Sequence, residues 1–217
     1  KKMPSVLTTK KLTKSQESLL FNAGISWVNY SAIQIEFNKN IIIPATIENA
    51  IITSKNAWLA VKGNTKIESA FVVGSKTEKI LNEANIAIIE KADNAKELAD
   101  QIIQKHAEKS FTFLCGNKRR NELPKMLQQH QIKLNEIEVY KTKLNPKEFQ
   151  QEFDGILFFS PSAVQSFFQV NKSKGEVAFC IGNTTANEAK KYTNKIIIAN
   201  QPTIENVIVQ VVKEFIK

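Results

Sequence analysis

The sequence predicts an α/β protein with two similar doubly wound parallel-sheet domains, one of them inserted in the other. Three observations predict this architecture. Short apolar runs rich in β-branched residues alternate with amphipathic stretches along the 217 residues. The apolar runs are continuous rather than interrupted by polar residues, as expected for strands that are buried on both faces of a parallel sheet. Parts of the first half of the sequence also recur in the second half.

The predicted strands are short and the predicted helices lie between them. The strands cover residues 5–9, 49–53, 70–73, 86–89, 110–115, 155–159, 177–181 and 195–199. The helices cover residues 15–22, 76–85, 95–108, 122–131, 163–170, 185–192 and 204–215. Three helix starts match the capping-box pattern S/T-x-x-E/Q, namely Ser75 with Glu78, Ser162 with Gln165 and Thr185 with Glu188. Because each of these helices follows a strand, its start lies where a doubly wound sheet binds ligands.

The internal repeat indicates a duplicated domain. The matching segments are AIITSKNAWLAV (50–61) with GILFFSPSAVQSF (155–167), and SAFVVGSKTEKI (69–80) with VAFCIGNTTANEA (177–189). Ser54 thereby matches Ser160, and Gly74 matches Gly182. The copies keep register over a spacing of roughly a hundred residues, which is typical of a duplicated domain and too long for the repeats of a solenoid.

The domain boundaries follow from the segments outside the repeat. The segment at 111–127, after the first copy, resembles the opening of the chain, so each domain needs one strand–loop–helix unit of this kind. The predicted organisation is a discontinuous domain of residues 1–35 plus 144–217, an inserted domain of residues 40–137, and connectors at about 33–40 and 136–145. Both connectors contain short extended patterns, SAIQIEF and IEVYKT, which predict a two-stranded connector.

Charge and composition argue against several classes of protein. The net charge of +9 and the pI of 9.4 would suit a polyanionic partner. The basic residues are scattered, however, and the only arginines are Arg119 and Arg120. Nucleic-acid-binding proteins usually cluster their basic residues and interleave aromatic ones, so we expect no nucleic-acid partner. The two cysteines and two histidines have no metal-ligand spacing, and we expect buried strand thiols and no bound metal.

We expect a cytoplasmic protein without a membrane partner. No apolar run approaches the roughly 20 residues that span a bilayer. The opening KKMPSVLTTKK has neither a long apolar segment nor a small-residue cleavage site of the kind found in signal peptides.

Several segments, taken in order along the chain, resemble the uroporphyrinogen-III synthases. They are VLTTKK near the start, TSKNA (53–57), LCGNKRRNELPKML (114–127), EVYKT (138–142), FFSPSAV (158–164) and IGNTTANEA (181–189). The sequence departs from the family pattern at Asn183, where a proline is frequent, and at Ser54-Lys55, where Ser-Pro is usual. Neither departure removes a hydroxyl or a helix start.

The resemblance implies two flavodoxin-like domains and a hydro-lyase of tetrapyrrole (porphyrin and haem) biosynthesis. Its substrate would be hydroxymethylbilane, a linear tetrapyrrole with many carboxylates, bound in a cleft between the domains. The family removes water from the hydroxymethyl group, inverts the last pyrrole ring and closes the macrocycle to uroporphyrinogen III. It uses neither a metal nor an organic cofactor. A hinged enzyme of this kind needs no partner subunit, so we expect a monomer.

The residues predicted to bind the substrate follow strands or open helices, where hydroxyls and backbone N–H groups can meet carboxylates. They are Thr9, Lys10, Ser54, Ser75, Thr77, Lys118, Arg119, Ser160, Ser162, Thr184 and Thr185. The alternative roles are helix capping for the hydroxyls and surface solvation for the basic residues. Tyr140 matches the family tyrosine and is the candidate general acid. Its alternative role is structural, as a connector tyrosine that packs its ring against one domain.

Two other functions stay open from the sequence. A non-catalytic two-domain α/β protein could close on a small polyanionic ligand, although such proteins usually work outside the cytosol and carry a signal peptide. An α/β transferase for nucleotide-bearing substrates would need a Gly-rich phosphate loop or paired acidic metal ligands. The sequence contains no G-x-G-x-x-G pattern and no P-loop.

Overall fold

The computed structural model describes residues 3–216, which fold into two compact units. One unit combines the residues up to Gln34 with those from Lys143 onwards, and we call it the discontinuous unit. The other, the inserted unit, runs from Ile35 to Thr142. Within residues 3–216, no helix has both the length and the apolar character needed to cross a membrane.

Strands and helices alternate along almost the whole chain. In order they are β1 (Ser5–Thr8), α1 (Lys14–Asn22), β2 (Ser26–Asn29), β3 (Ile33–Phe37), β4 (Thr46–Ile52), α2 (Lys55–Val61), β5 (Lys66–Val73), α3 (Ser75–Glu83), β6 (Ala87–Ala92), α4 (Ala95–Lys105), β7 (Phe111–Gly116), α5 (Glu122–Gln129), β8 (Leu134–Leu144), β9 (Gly155–Phe158), α6 (Pro161–Phe168), β10 (Val177–Cys180), α7 (Asn183–Ala189), β11 (Ile196–Ile198) and α8 (Ile204–Phe215).

The discontinuous unit is built on a parallel sheet with the strand order β11-β10-β9-β1-β2. One face packs against α6 and α7 in a cluster that contains Phe158 and Phe167. The opposite face packs against α1 and α8 in a cluster that contains Leu20 and Phe179. Because both faces are covered, successive strand residues are buried, and this explains the continuous apolar runs in the sequence.

The inserted unit repeats this arrangement. Its sheet has the order β3-β8-β7-β4-β5-β6, and the strands from β8 to β6 are parallel. Helices α2 and α3 cover one face, in a cluster that contains Trp58 and Leu81, and α4 and α5 cover the other. Strands β4, β5, β6, β7 and β8 take the places of β9, β10, β11, β1 and β2. The predicted fold of two similar doubly wound parallel sheets is therefore confirmed.

The connector segments form the strands β3 and β8, which lie side by side. The backbone N–H of Asn38 donates to the carbonyl of Val139 at 2.9 Å, and the Asn38 side chain donates to the carbonyl of Glu138 at 3.3 Å. They do not form a separate ribbon, because β8 also pairs with β7 and is the fifth parallel strand of its sheet.

The three predicted capping boxes are wrong. The N-cap residues of the helices concerned are Gly74, Ser160 and Gly182. Ser160 is the N-cap of α6, and its Oγ accepts from the N–H of Ala163 at 3.1 Å. The helix begins at Pro161, because proline suits the first position of a helix. Gly74 has a φ of 86°, a backbone conformation that residues with a side chain rarely adopt. The residues predicted as caps, which are Ser75, Ser162 and Thr185, lie within the first helical turn instead.

Candidate active site

In each sheet, two neighbouring central strands are followed by helices that cover opposite faces and lead to strands on opposite sides. In the discontinuous unit these strands are β1 and β9, which are followed by α1 and α6. In the inserted unit they are β7 and β4, which are followed by α5 and α2. Doubly wound sheets bind ligands beyond the carboxyl ends of such strands. Seven of the predicted substrate-binding residues follow these four strands, namely Thr9, Lys10, Ser160 and Ser162 in one unit and Ser54, Lys118 and Arg119 in the other.

Among the residues that follow β1 and β9, Thr9 has a structural contact. It is 2% exposed, and its hydroxyl donates to the carbonyl of Leu157 at 2.6 Å, which ties β1 to β9. Lys10 is exposed, and Ser160 and Ser162 are partly exposed at the start of α6. This end of the sheet therefore offers hydroxyls and a cation to a ligand, while Thr9 fixes the strands beneath them.

At the helix starts after β5 and β10, residues that are close in sequence differ in solvent exposure. Thr77 in α3 and Thr185 in α7 are 4% and 3% exposed, so their hydroxyls lie inside their units. Ser75 and Thr184, in the same helical turns, are exposed. Of these four predicted residues, only the exposed pair presents its hydroxyls at the surface.

Two other predicted residues in the inserted unit have partners, as Ser160 does at the start of α6. Ser54 caps α2, and its Oγ accepts from the N–H of Asn56 at 3.2 Å. Arg119 binds Glu136 through two contacts, from Nε to Oε1 at 2.7 Å and from Nη2 to Oε2 at 3.0 Å. This pairing offsets much of the guanidinium charge. Of Lys118 and Arg119, the exposed Lys118 is therefore the cation that is better placed to meet an anionic ligand.

Tyr140 lies on β8 beside Gly116, the last residue of β7. Its ring fills the space that a side chain at position 116 would need, because a Cβ there would lie 2.5 Å from Cζ and 2.9 Å from the phenol oxygen. The ring packs against the cluster beneath α2 and α3 and is half-buried. Within residues 3–216, the Tyr140 hydroxyl has no hydrogen-bond partner. The protein thus holds the ring and leaves the hydroxyl available to a ligand.

Sequence reasoning missed Asn117 and Glu136. Asn117 contacts β8 on both sides of Lys141: its N–H donates to the carbonyl of Tyr140 at 3.2 Å, and its Oδ1 accepts from the N–H of Thr142 at 2.9 Å. The only signal in the sequence was that Asn117 lies between Gly116 and Lys118 in the basic loop.

The described residues show no metal cluster and no activated thiol. Among residues 3–216, no group of three or more histidine, cysteine or acidic side chains is placed to hold a metal ion. Burial raises the pKa of Cys115 to about 11 and that of Cys180 to about 12. Both thiols therefore stay protonated at neutral pH, whereas the thiolate is the nucleophilic form. Neither cysteine is prepared for covalent catalysis.

A family model described as uroporphyrinogen-III synthase HemD matches residues 16–208. The chain belongs to the uroporphyrinogen-III synthase family. The resemblance found in the sequence motifs is thereby confirmed.

Two curated relatives match most of the chain. An uncharacterized protein of Rickettsia prowazekii is 28% identical over 191 residues, which cover 82% of this chain and 65% of that protein. The porphyrin biosynthesis protein HemD of Ruminiclostridium josui is 28% identical over 171 residues, which cover 72% of this chain and 33% of that protein. The chain therefore spans less than two thirds of the length of the first relative and one third of the second.

Solved structures of the uroporphyrinogen-III synthase family share the fold. The uroporphyrinogen-III synthetase of Helicobacter pylori superposes with a TM-score of 0.74 at 18% identity, covering 98% of this chain and 100% of that one. A mutant uroporphyrinogen III synthase of Thermus thermophilus gives a TM-score of 0.64 at 13% identity, covering 97% and 98% of the two chains.

Proposed function

We propose that this protein is a uroporphyrinogen-III synthase, which converts hydroxymethylbilane to uroporphyrinogen III with loss of water and inversion of the last pyrrole ring. The observation that carries the proposal is the match of the family model to residues 16–208. The site chemistry supports it, because the accessible groups at the sheet ends are hydroxyls, lysines and one phenol rather than metal ligands or thiolates.

The carboxylates of the substrate bind at helix starts and at nearby lysines. Backbone N–H groups at a helix start carry positive partial charge and favour anions. Ser160 and Ser162 in the discontinuous unit, and Ser75 in the inserted unit, add hydroxyls at such starts. Lys10 and Lys118 contribute charge from exposed loops, within a chain of net charge +9. Hydrogen bonds from hydroxyls and lysine ammonium groups can hold a polyanion while still allowing its last ring to turn over.

Tyr140 assists the departure of the hydroxymethyl oxygen. The pyrrole electrons expel that oxygen as the C–O bond breaks, and the phenol donates a hydrogen bond to it as its negative charge develops. The departing hydroxide takes up the pyrrole N–H proton and leaves as water, and the resulting azafulvene is stabilised by its own ring electrons, so the substrate supplies much of its own reactivity. General-acid assistance of this kind contributes roughly 10²-fold or less here. The larger task of the protein is to hold a flexible chain in a shape that can cyclise, for which orientation supplies up to several kcal/mol.

The isomer composition of the product tests this function. Purified protein is incubated with freshly generated hydroxymethylbilane, and the uroporphyrins are separated by chromatography after oxidation. We expect the type III isomer to replace the type I isomer that forms spontaneously, and heat-unfolded protein serves as the control. A product that stays type I with native protein would refute the proposed function. A slower formation of type I alone would favour a non-catalytic binding protein.

A further inference from the structure

The strand that carries Tyr140 contains a β-bulge next to it. Strands β7 and β8 pair in parallel register from Phe111 opposite Leu134 to Cys115 opposite Glu138. The next residue, Gly116, then lies opposite Tyr140, so β8 contains one extra residue, Val139. Bulges bend a strand and change the direction of the side chains that follow.

The bulge decides which face of the sheet receives the tyrosine ring. Val139 is fully buried in the cluster beneath α2 and α3, and Tyr140 packs against the same cluster. In a regular strand, consecutive side chains lie on opposite faces. Without the bulge, Tyr140 would therefore lie on the face covered by α4 and α5.

Asn117 stabilises the strand just beyond the bulge. Strand β7 ends at Gly116, yet the Asn117 N–H donates to the carbonyl of Tyr140 at 3.2 Å. The Asn117 Oδ1 accepts from the N–H of Thr142 at 2.9 Å and so replaces the backbone carbonyl that a longer β7 would offer. The two bonds flank Lys141 and fix the backbone on the carboxyl side of Tyr140.

We infer that Asn117 is a positioning residue, which holds the Tyr140 hydroxyl in place for the leaving oxygen through its side-chain bond to Thr142. The inference rests on the proposed function, and it assigns to Asn117 no contact with the substrate. The group that acts is the amide oxygen of Asn117, because only an acceptor can bind the Thr142 N–H.

Two substitutions distinguish the effect of the Asn117 hydrogen-bond acceptor from the effect of the side-chain volume. Asn117→Leu keeps a similar volume and removes the acceptor, so kcat is expected to fall about fivefold, as for the loss of one hydrogen bond, with little change in KM. Asn117→Asp keeps an acceptor and is expected to retain kcat, while its negative charge raises KM for an anionic substrate. The matched control is Asn135→Leu, which alters an exposed asparagine on β8, the strand that contains Thr142, and is expected to leave kcat unchanged.

A double-mutant cycle distinguishes positioning from general support of the fold. If Asn117 acts through the phenol, Asn117→Leu has no further effect on kcat in a Tyr140→Phe protein. A purely structural role would lower kcat by the same factor in both backgrounds, and this result would overturn the inference. An Asn117→Leu protein with unchanged kcat would overturn it equally.

The ¹⁹F NMR spectrum of the substrate-free protein tests the role of Asn117 independently of the proposed function. The sequence has three tyrosines, so 3-fluorotyrosine labelling gives three ¹⁹F resonances, and Tyr140→Phe identifies one of them. Asn117→Leu is expected to shift that resonance, and Asn117→Asp to leave it near its original position. If wild-type protein forms no type III product, the proposed function fails. If wild-type protein is active but Asn117→Leu leaves this resonance in place, the role of Asn117 is wrong.

Discussion

Gly116→Ala is expected to lower kcat for type III formation as far as Tyr140→Phe does, by up to roughly 10²-fold. The added Cβ would lie 2.5 Å from Cζ and 2.6 Å from Cε2 of the Tyr140 ring, so the ring has to move away. The clash falls on Cζ, the atom that carries the hydroxyl, so a movement of the ring that relieves it also displaces the hydroxyl. Misplacement of a reacting group by about 1 Å can cost such a factor. Single-turnover rates with hydroxymethylbilane measure the effect.

The control for Gly116→Ala removes the ring instead of moving it. In the wild-type background, overpacking is expected to lower the free energy of unfolding by about 1–3 kcal/mol. In a Tyr140→Ala background that loss should disappear, since the methyl group then meets empty space. A Gly116→Ala protein that keeps the wild-type kcat would show that the position of the ring has no bearing on turnover.

Phe179→Ala is expected to lower the free energy of unfolding of the discontinuous unit by about 3–5 kcal/mol. Phe179 is fully buried on β10, and its ring meets that of Phe215 edge to face with centroids 5.7 Å apart. The ring also covers Gly155, where a Cβ would lie 2.6 Å from it. Removing the ring leaves a cavity between the sheet and α8. Urea unfolding, followed by circular dichroism, measures the loss.

An exposed phenylalanine provides the matched control. Phe21 on α1 is 73% exposed, and Phe21→Ala is expected to change the free energy of unfolding by about 0.5 kcal/mol or less. Hydrogen exchange locates the effect, because Phe179→Ala should speed exchange in β9 and β10 and leave β4 and β5 protected. Equal stability losses from the two substitutions would contradict the assigned core.

The strands that are covered on both faces could be predicted from the sequence, because burial on both sides produces continuous apolar runs. The repeat also revealed the duplication, since matching strand ends kept their register. Strand β2, Ser26–Asn29, was missed because it is an edge strand whose residues are at most half-buried, so its sequence contains no apolar run. The capping boxes failed because the pattern S/T-x-x-E/Q carries no information about the backbone of the residue before it, as Gly74 and Pro161 show.

The candidate general acid could be named from the sequence, but the contacts that hold it in place could not. Tyr140 follows from the family resemblance. Asn117 and Glu136 depend on contacts between the β7–α5 loop and β8, where partners such as Asn117 and Thr142 are far apart in sequence. Neither a bulge at Val139 nor a ring over Gly116 leaves a pattern in a single sequence.

We propose that the positioning of the substrate, rather than a single acid group, directs ring closure. The isomers formed by the Tyr140→Phe variant test this proposal most directly. The folded variant is expected to form the type III isomer more slowly, by roughly 10²-fold at most, since the helix starts and lysines still hold the chain. Its circular dichroism spectrum and unfolding midpoint confirm that it is folded. Formation of the type I isomer alone by a folded Tyr140→Phe protein would contradict the proposal.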